Sequence, residues 1–221
     1  MTKKKIEETP KSSASRLREI AAVLAKHRIS SGLTPEKLRM ILEDLGPTYV
    51  KLGQIMSLHS DMLPPSYCDE LLKLTSDVAP MPFSDVKDIL TDAYGMDWKK
   101  VFKSIDETPI GSASIAQVHR GFLKTGEEVI VKVQRKGVYD QMFRDVVLMH
   151  KALRMFPAVG QIGEFKGLID MDKVLDELWA VAQEEMDFLK ESDNLIRFTK
   201  LNKNIPYIGV PKLYGQYTTT H

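Results

Sequence analysis

Apolar residues recur at helical spacing through the first hundred positions. In SSASRLREIAAVLAKHRIS, Leu17, Ile20, Val23 and Leu24 fall on one stripe, the pattern of an amphipathic helix. A second helix opens at Thr34-Pro35 and carries Leu38, Ile41, Leu42 and Leu45. Threonine is a good N-cap, and proline is tolerated at the first helical position because its missing N–H has no partner there anyway. Gly46-Pro47 then interrupts, and Pro47 starts a third helix bearing Tyr49, Leu52, Ile55 and Met56. Two shorter helices are expected from Ser66 and Ser84, each a small hydroxyl residue with an acid close behind. Gly95 closes the second of them.

Beyond residue 100 the period changes. AQVHRGFL and EVIVKVQ alternate as strands do, and KTGE with Gly126 joins them as a hairpin. Helix is expected again from about Tyr139 to Phe156. A glycine-bearing connection with Gly160, Gly163 and Gly167 follows, expected to be mobile, and then one long helix from about Asp170 to Leu201. NIPYIGVPKLYGQYTTTH reads as a strand pair turning near Gly215. The class is α+β, with helices first and a small sheet after them.

Composition narrows the function classes. The chain has 221 residues, 43% of them hydrophobic, so it can bury a core. Its 31 basic and 30 acidic residues leave a net charge of +1, which argues against a nucleic-acid surface. Cys68 is the single cysteine, so neither an intrachain disulfide nor a multi-cysteine metal site is available. His27, His59, His119, His150 and His221 show no ligand spacing and read as buried or solvated histidines. MTKKKIEETPKSSAS is polar, lacks the apolar region of a signal peptide and reads as a flexible arm. No apolar run approaches the ~18 residues of a membrane span. A cytosolic location is expected, with a membrane surface as a possible neighbour.

Three places carry candidate chemistry. In the third helix, KLGQ sets Lys51 and Gln54 one turn apart with Gly53 between them. Glycine inside a helix costs about 1 kcal/mol relative to alanine, an expense that the helical pattern alone does not explain. In TPIGSASIAQVH, small residues lie between two strands, where backbone N–H groups can approach a phosphate chain. Lys132 then sits mid-strand in VIVKVQ and shares a face with Ile130 and Gln134, within reach of such a phosphate as a point charge. In AQEEMDFLKESDN, Asp187 and Glu191 are four apart, so they share a face that Asn194 continues, and Glu185 lies on a neighbouring face. Taken singly, these are an ordinary bundle helix, a turn beside a solvated lysine, and an acidic helix surface.

In this order they resemble the UbiB (AarF/ADCK) family of atypical protein-kinase-like proteins. KLGQ (Lys51–Gln54) matches the family's K-x-G-Q motif, SASIAQVH (Ser112–His119) its alanine-rich loop, and EMDFLKESDN (Glu185–Asn194) its E-x-D segment and following helix glutamate. The likeness covers about residues 30 to 221.

The resemblance implies a fold, a pocket and roles. The fold is a helical N-terminal extension packed on a kinase-like N-lobe, a small antiparallel sheet plus a long helix. Residues 1–30 would be the polar arm and first helix, 31–100 the extension, and 101–221 the N-lobe, cut off before the hinge. The ligand would be ATP or ADP with Mg, its metal ligands mainly on an absent C-lobe and none assigned here. Lys132 would bind phosphate and Glu191 would be its ion-pair partner. Gly111, Ser112, Ala113, Ser114, Ile115 and Ala116 would cover the phosphates, the Ala113 methyl limiting how closely the loop wraps. The loop begins Gly111-Ser112 where the family shows a purer alanine run. Lys51 and Gln54 would point into the pocket near Glu185 and Asp187, one of these acids pairing with Lys51, and Gly53 would let its helix approach the lobe.

The implied activity is the N-terminal part of an ATP-dependent kinase or ATPase supporting isoprenoid quinone biosynthesis, with lipid intermediates or a membrane-bound biosynthetic complex as target. No catalytic-loop Asp/Asn pair or Asp-Phe-Gly segment precedes His221, so turnover of ATP by these residues alone is not expected. The alternative is a truncated pseudokinase that binds nucleotide, lipid or a partner. A third reading is a helical scaffold with an incidental hairpin.

Overall fold

The computed structural model describes residues 10–29, 32–60, 63–74, 78–155 and 171–220. In chain order the helices are α1 (Pro10–Lys26), α2 (Pro35–Leu45), α3 (Pro47–Ser57), α4 (Pro65–Leu71) and α5 (Phe83–Tyr94), then α6 (Val138–Met155), α7 (Met171–Glu185) and α8 (Phe188–Leu201). Strands β1 (Phe102–Ile105), β2 (Gly111–Ser112), β3 (Ala116–Leu123) and β4 (Glu128–Gln134) lie between α5 and α6. The α+β class read from the pattern holds. Gly160, Gly163, Gly167 and His221 lie outside the described residues.

The chain divides into two compact units. One joins Met1–Ser76 to Gly137–Ala180; the other joins Asp77–Lys136 to Val181–His221. α6 and most of α7 group with the early helices, and α5 groups with the sheet. The helical unit packs Ile41, Leu42 and Leu45 of α2 against Tyr49 and Val50 of α3 and against Cys68 and Leu71 of α4. Ile20, Val23 and Leu24 of α1 join this core, as the apolar stripes require. Thr34 caps α2 by accepting from the Lys37 N–H at 3.3 Å. Gly46, at φ +94, makes the turn into α3.

The second unit is built on β3. β4 pairs antiparallel along its whole length, with Val118 opposite Lys132. β1 and β2 share the other edge end to end, β2 against Gln117 and Val118 and β1 against Gly121 to Leu123. The hairpin turn holds Gly126 at φ +105, a backbone that favours glycine. One sheet face contributes Leu123, Val131 and Val133 to a core with Val86 and Leu90 of α5. On that face Gln117 and His119 are fully buried and form a polar chain. The Met81 N–H donates to Gln117 Oε1 at 2.7 Å, and His119 Nδ1 lies 2.7 Å from the Asp106 carbonyl. A carbonyl only accepts, so Nδ1 carries the proton and Nε2 accepts from the Gln117 amide at 2.8 Å.

Four sequence expectations are corrected. α1 begins at Pro10, so the last six residues of the expected arm are helical; proline is pre-set for a first helical turn. α4 and α5 begin at Pro65 and Phe83, one residue before Ser66 and Ser84, behind Pro64 and Pro82, and neither serine caps. The long helix is broken between Glu185 and Phe188. The C-terminal strand pair does not form; the described residues there hold only a short 3-10 turn, Gly215–Tyr217. Pro206 and Pro211 remove two ladder donors from that segment.

Candidate functional site

Lys132 is set by the β4 alternation. Val131 and Val133 turn into the core, so Lys132 must face the other way, with Ile130 and Gln134. Its Nζ lies 2.6 Å from Glu191 Oε2, with side chains 40% and 57% exposed. The same ammonium stands 4.8 Å from the centre of the Phe188 ring, a cation–π contact. The structure thus brings together one predicted pair, Lys132 on the sheet and Glu191 in the first turn of α8.

The turn that aims Glu191 is built from three contacts. Asp187 adopts a non-helical backbone (φ −102, ψ 90), and its carboxylate accepts from the N–H groups of Leu189 and Lys190 as the N-cap of α8. Its role here is capping, rather than continuing one helical face with Glu191. The Gln134 amide donates to the Met186 carbonyl at 2.8 Å. Gln134 and Lys132, two apart on one strand face, therefore hold both sides of the break. Glu184 and Glu185 occupy the last turn of α7, where the helix dipole disfavours negative charge. Lys190 Nζ approaches Glu184 at 3.8 Å, and Glu185 is exposed.

The small-residue loop is held from one side by Arg135. Gly111 and Ser112 form β2, Ala116 begins β3, and Ala113, Ser114 and Ile115 span between them. Arg135 Nε donates to the Ala113 carbonyl at 2.7 Å. Its Nη2 donates to Ser112 Oγ at 2.6 Å and to the Ala79 carbonyl at 2.9 Å. Its backbone N–H donates to the Ile115 carbonyl at 2.8 Å, and the Val78 N–H donates to the Ser112 carbonyl at 3.2 Å. Every one of these guanidinium acceptors is neutral, and burial lowers the Arg135 pKa from its ordinary value. Sequence reasoning misses Arg135, because carbonyl partners leave no mark in a sequence. It finds Gln134 only as a neighbour of Lys132; the strand alternation is the available signal.

Lys51 and Gln54 lie half-buried on α3, in the helical unit. The Gln54 amide donates to the Leu74 carbonyl at 3.3 Å. Gly53 is closely packed within the helical unit. A Cβ there would stand 2.4 Å from Leu74 Cδ1 and 2.7 Å from Leu42 Cδ1. The glycine lets α3 nest against leucines of its own unit.

A family model described as the ABC1 atypical kinase-like domain matches residues 73–221. The chain belongs to this family. It is 38% identical over 205 residues to an uncharacterized Clostridium pasteurianum protein from the hydrogenase 1 5′ region, covering 89% of this chain and 38% of that one. It is 34% identical to a chloroplastic aarF domain-containing protein kinase of Arabidopsis thaliana, covering 83% and 26%. To the Arabidopsis chloroplastic protein Activity of bc1 complex kinase 8 it is 36% identical, covering 79% and 23%. A solved Mycobacterium tuberculosis structure, a complex with erythromycin, superposes with a TM-score of 0.50 at 28% identity over 93% of this chain and 48% of that one. The chain spans less than half the length of each of these relatives. The UbiB likeness and the kinase-like N-lobe fold expected from the motifs are thereby established.

Proposed function

We propose that this chain binds ATP or ADP through Lys132 and the loop Gly111–Ala116, as the nucleotide-binding part of a kinase-like phosphotransferase or ATPase. The observation that carries this reading is the 2.6 Å Lys132–Glu191 pair beside that loop. An ion pair as exposed as this one contributes about 0–1 kcal/mol to stability, so the fold has little need of it. Its geometry suits phosphate binding instead. Glu191 fixes the lysine, and the ammonium neutralises charge on α/β-phosphates. Val118 lies opposite Lys132 across the ladder, and Ile130, on the same face, is 61% exposed. Together they offer apolar surface to a base.

These residues would bind, orient and neutralise charge. Among the described residues no three His, Cys, Asp or Glu side chains gather to hold a metal ion. The Mg of the expected Mg–nucleotide therefore has no assigned ligands here, and no step is routed through it. The roles of Lys51, Gln54, Glu185 and Asp187 belong to the same proposal and rest on the family motifs. So do the isoprenoid-quinone role, a lipid or membrane-complex target, and a place in the cytoplasm against a membrane; quinone content in cells lacking the gene tests the first.

Nucleotide titration tests the pocket. Lys132→Ala should shift the thermal midpoint little, the pair being exposed, while weakening ADP binding about tenfold or more. Glu191→Gln should weaken it less. Unchanged ADP affinity in Lys132→Ala would favour the helical-scaffold reading.

A further inference from the structure

We propose that Arg135 is the positioning residue of the phosphate loop: it holds the Ala113 carbonyl and Ser112 Oγ on one side and thereby presents the Ser114 amide N–H, next to that of Ile115, to an anionic phosphate. This deepens the nucleotide reading above and rests on it.

The peptide plane sets the geometry. In a trans peptide the C=O and the following N–H point in opposite directions. Arg135 Nε holds the Ala113 carbonyl at 2.7 Å, so the Ser114 N–H is aimed away from the guanidinium. Two residues on, the Ile115 carbonyl accepts from the Arg135 backbone N–H, which anchors the far end of the loop. Ser112 Oγ is taken by Nη2 at 2.6 Å. Ser114 and Ile115 are buried, at 6% and 5% exposure, and neither amide N–H finds an acceptor among the described residues. Buried backbone donors are almost always paired. Two successive unpaired N–H groups are donors that an anion can satisfy.

Arginine suits this position in a way lysine does not. The Nε and Nη2 donors lie in one rigid plane and engage the Ala113 carbonyl and Ser112 Oγ together. Nη2 also reaches the Ala79 carbonyl at 2.9 Å, tying the loop to the segment before α5. Among the described residues no carboxylate pairs with the guanidinium, so its positive charge stands uncompensated behind the loop.

The test separates phosphate from base. The full chain, Arg135→Gln, Arg135→Lys and Ser112→Ala are titrated with ADP and with adenosine, following heat and the amide resonances of Ser114 and Ile115. The expected result is that ADP moves both resonances in the parent. Both Arg135 variants should lose about tenfold in ADP affinity and keep the parent's adenosine affinity. Ser112→Ala should lose less, again for ADP alone. A folded Arg135→Gln that binds ADP as the parent does overturns the inference, as does an equal loss for ADP and adenosine. Should the Arg135 variants fail to fold, Ser112→Ala and the parent decide: unchanged ADP affinity in Ser112→Ala with unmoved Ser114 and Ile115 resonances in the parent overturns it. A parent that binds no ADP defeats the nucleotide reading itself, and this inference with it; ADP binding that ignores Arg135 defeats only the inference.

Discussion

Gly53 shows how a single absent methyl can be weighed. Replacing it with alanine removes the helix penalty of glycine, a gain of about 1 kcal/mol. The new Cβ, however, would lie 2.4 Å and 2.7 Å from the ends of Leu74 and Leu42, both in the buried core. Overpacking of this kind costs about 1–3 kcal/mol, so steric cost should win. Gly53→Ala is expected to lower stability by about 1 kcal/mol net, read as a lower denaturant midpoint at unchanged slope. Trimming the neighbour checks the cause: Gly53→Ala with Leu74→Ala should be less destabilised than the sum of the two single changes. A stabilised Gly53→Ala would mean that the leucines yield at no cost. The glycine's cost was legible in the sequence. Which neighbour it admits was not, because a helix pattern does not say which leucines it will meet.

Elements were legible where local pattern and tertiary contacts agree. β3 and β4 match the expected AQVHRGFL and EVIVKVQ runs residue for residue, because alternation and the Gly126 turn both specify the hairpin. The α7–α8 break was not legible. Ala182, Met186 and Leu189 continue a helical spacing straight through it, while the break depends on the Gln134 amide reaching the Met186 carbonyl across 52 positions and on the Asp187 side chain turning back to cap. The candidate site divides in the same way: Lys132 and Glu191 were readable from motif order, whereas Arg135 acts on backbone oxygens that any residue supplies. The cap yields a prediction at this scale. Asp187→Ala should cost about 1 kcal/mol, while Asp187→Asn, which still caps, should be nearly neutral. Thermal melts of the two variants measure this. If Asp187 also has the acidic role implied by the family motif, Asp187→Asn should keep its stability and lose activity in a full-length relative. Equal destabilisation of both variants would show that charge, and not the cap, holds the break.

At the scale of the whole molecule, neither unit is a continuous stretch of chain, and in the helical unit a buried ion pair shows what closes the gap. Arg16 on α1 meets Asp145 on α6 in a two-point contact, Nε to Oδ1 at 2.8 Å and Nη2 to Oδ2 at 3.0 Å, across 129 positions. Thr48 on α3 donates to the same Oδ2 at 2.8 Å, and Arg16 Nη2 also reaches the Leu45 carbonyl at 2.7 Å. Asp145 is 1% exposed, so its carboxylate depends on these donors. A buried pair adds modest net stability when intact, but removing one partner strands a charge, at about 3–5 kcal/mol. Arg16 keeps some contact with solvent, so the lower end applies, and Arg16→Ala is expected to cost about 3 kcal/mol. Replacing both partners by apolar residues, Arg16→Met with Asp145→Leu, should recover much of that loss, since no charge is then left unpaired. Hydrogen exchange locates the effect. In Arg16→Ala the amides of α1, α3 and α6 should lose protection, while those of β3 and β4, in the other unit, keep theirs. Uniform loss across both units would mean that the chain unfolds as one cooperative body; no loss at all would mean that water enters and solvates Asp145 in place of Arg16.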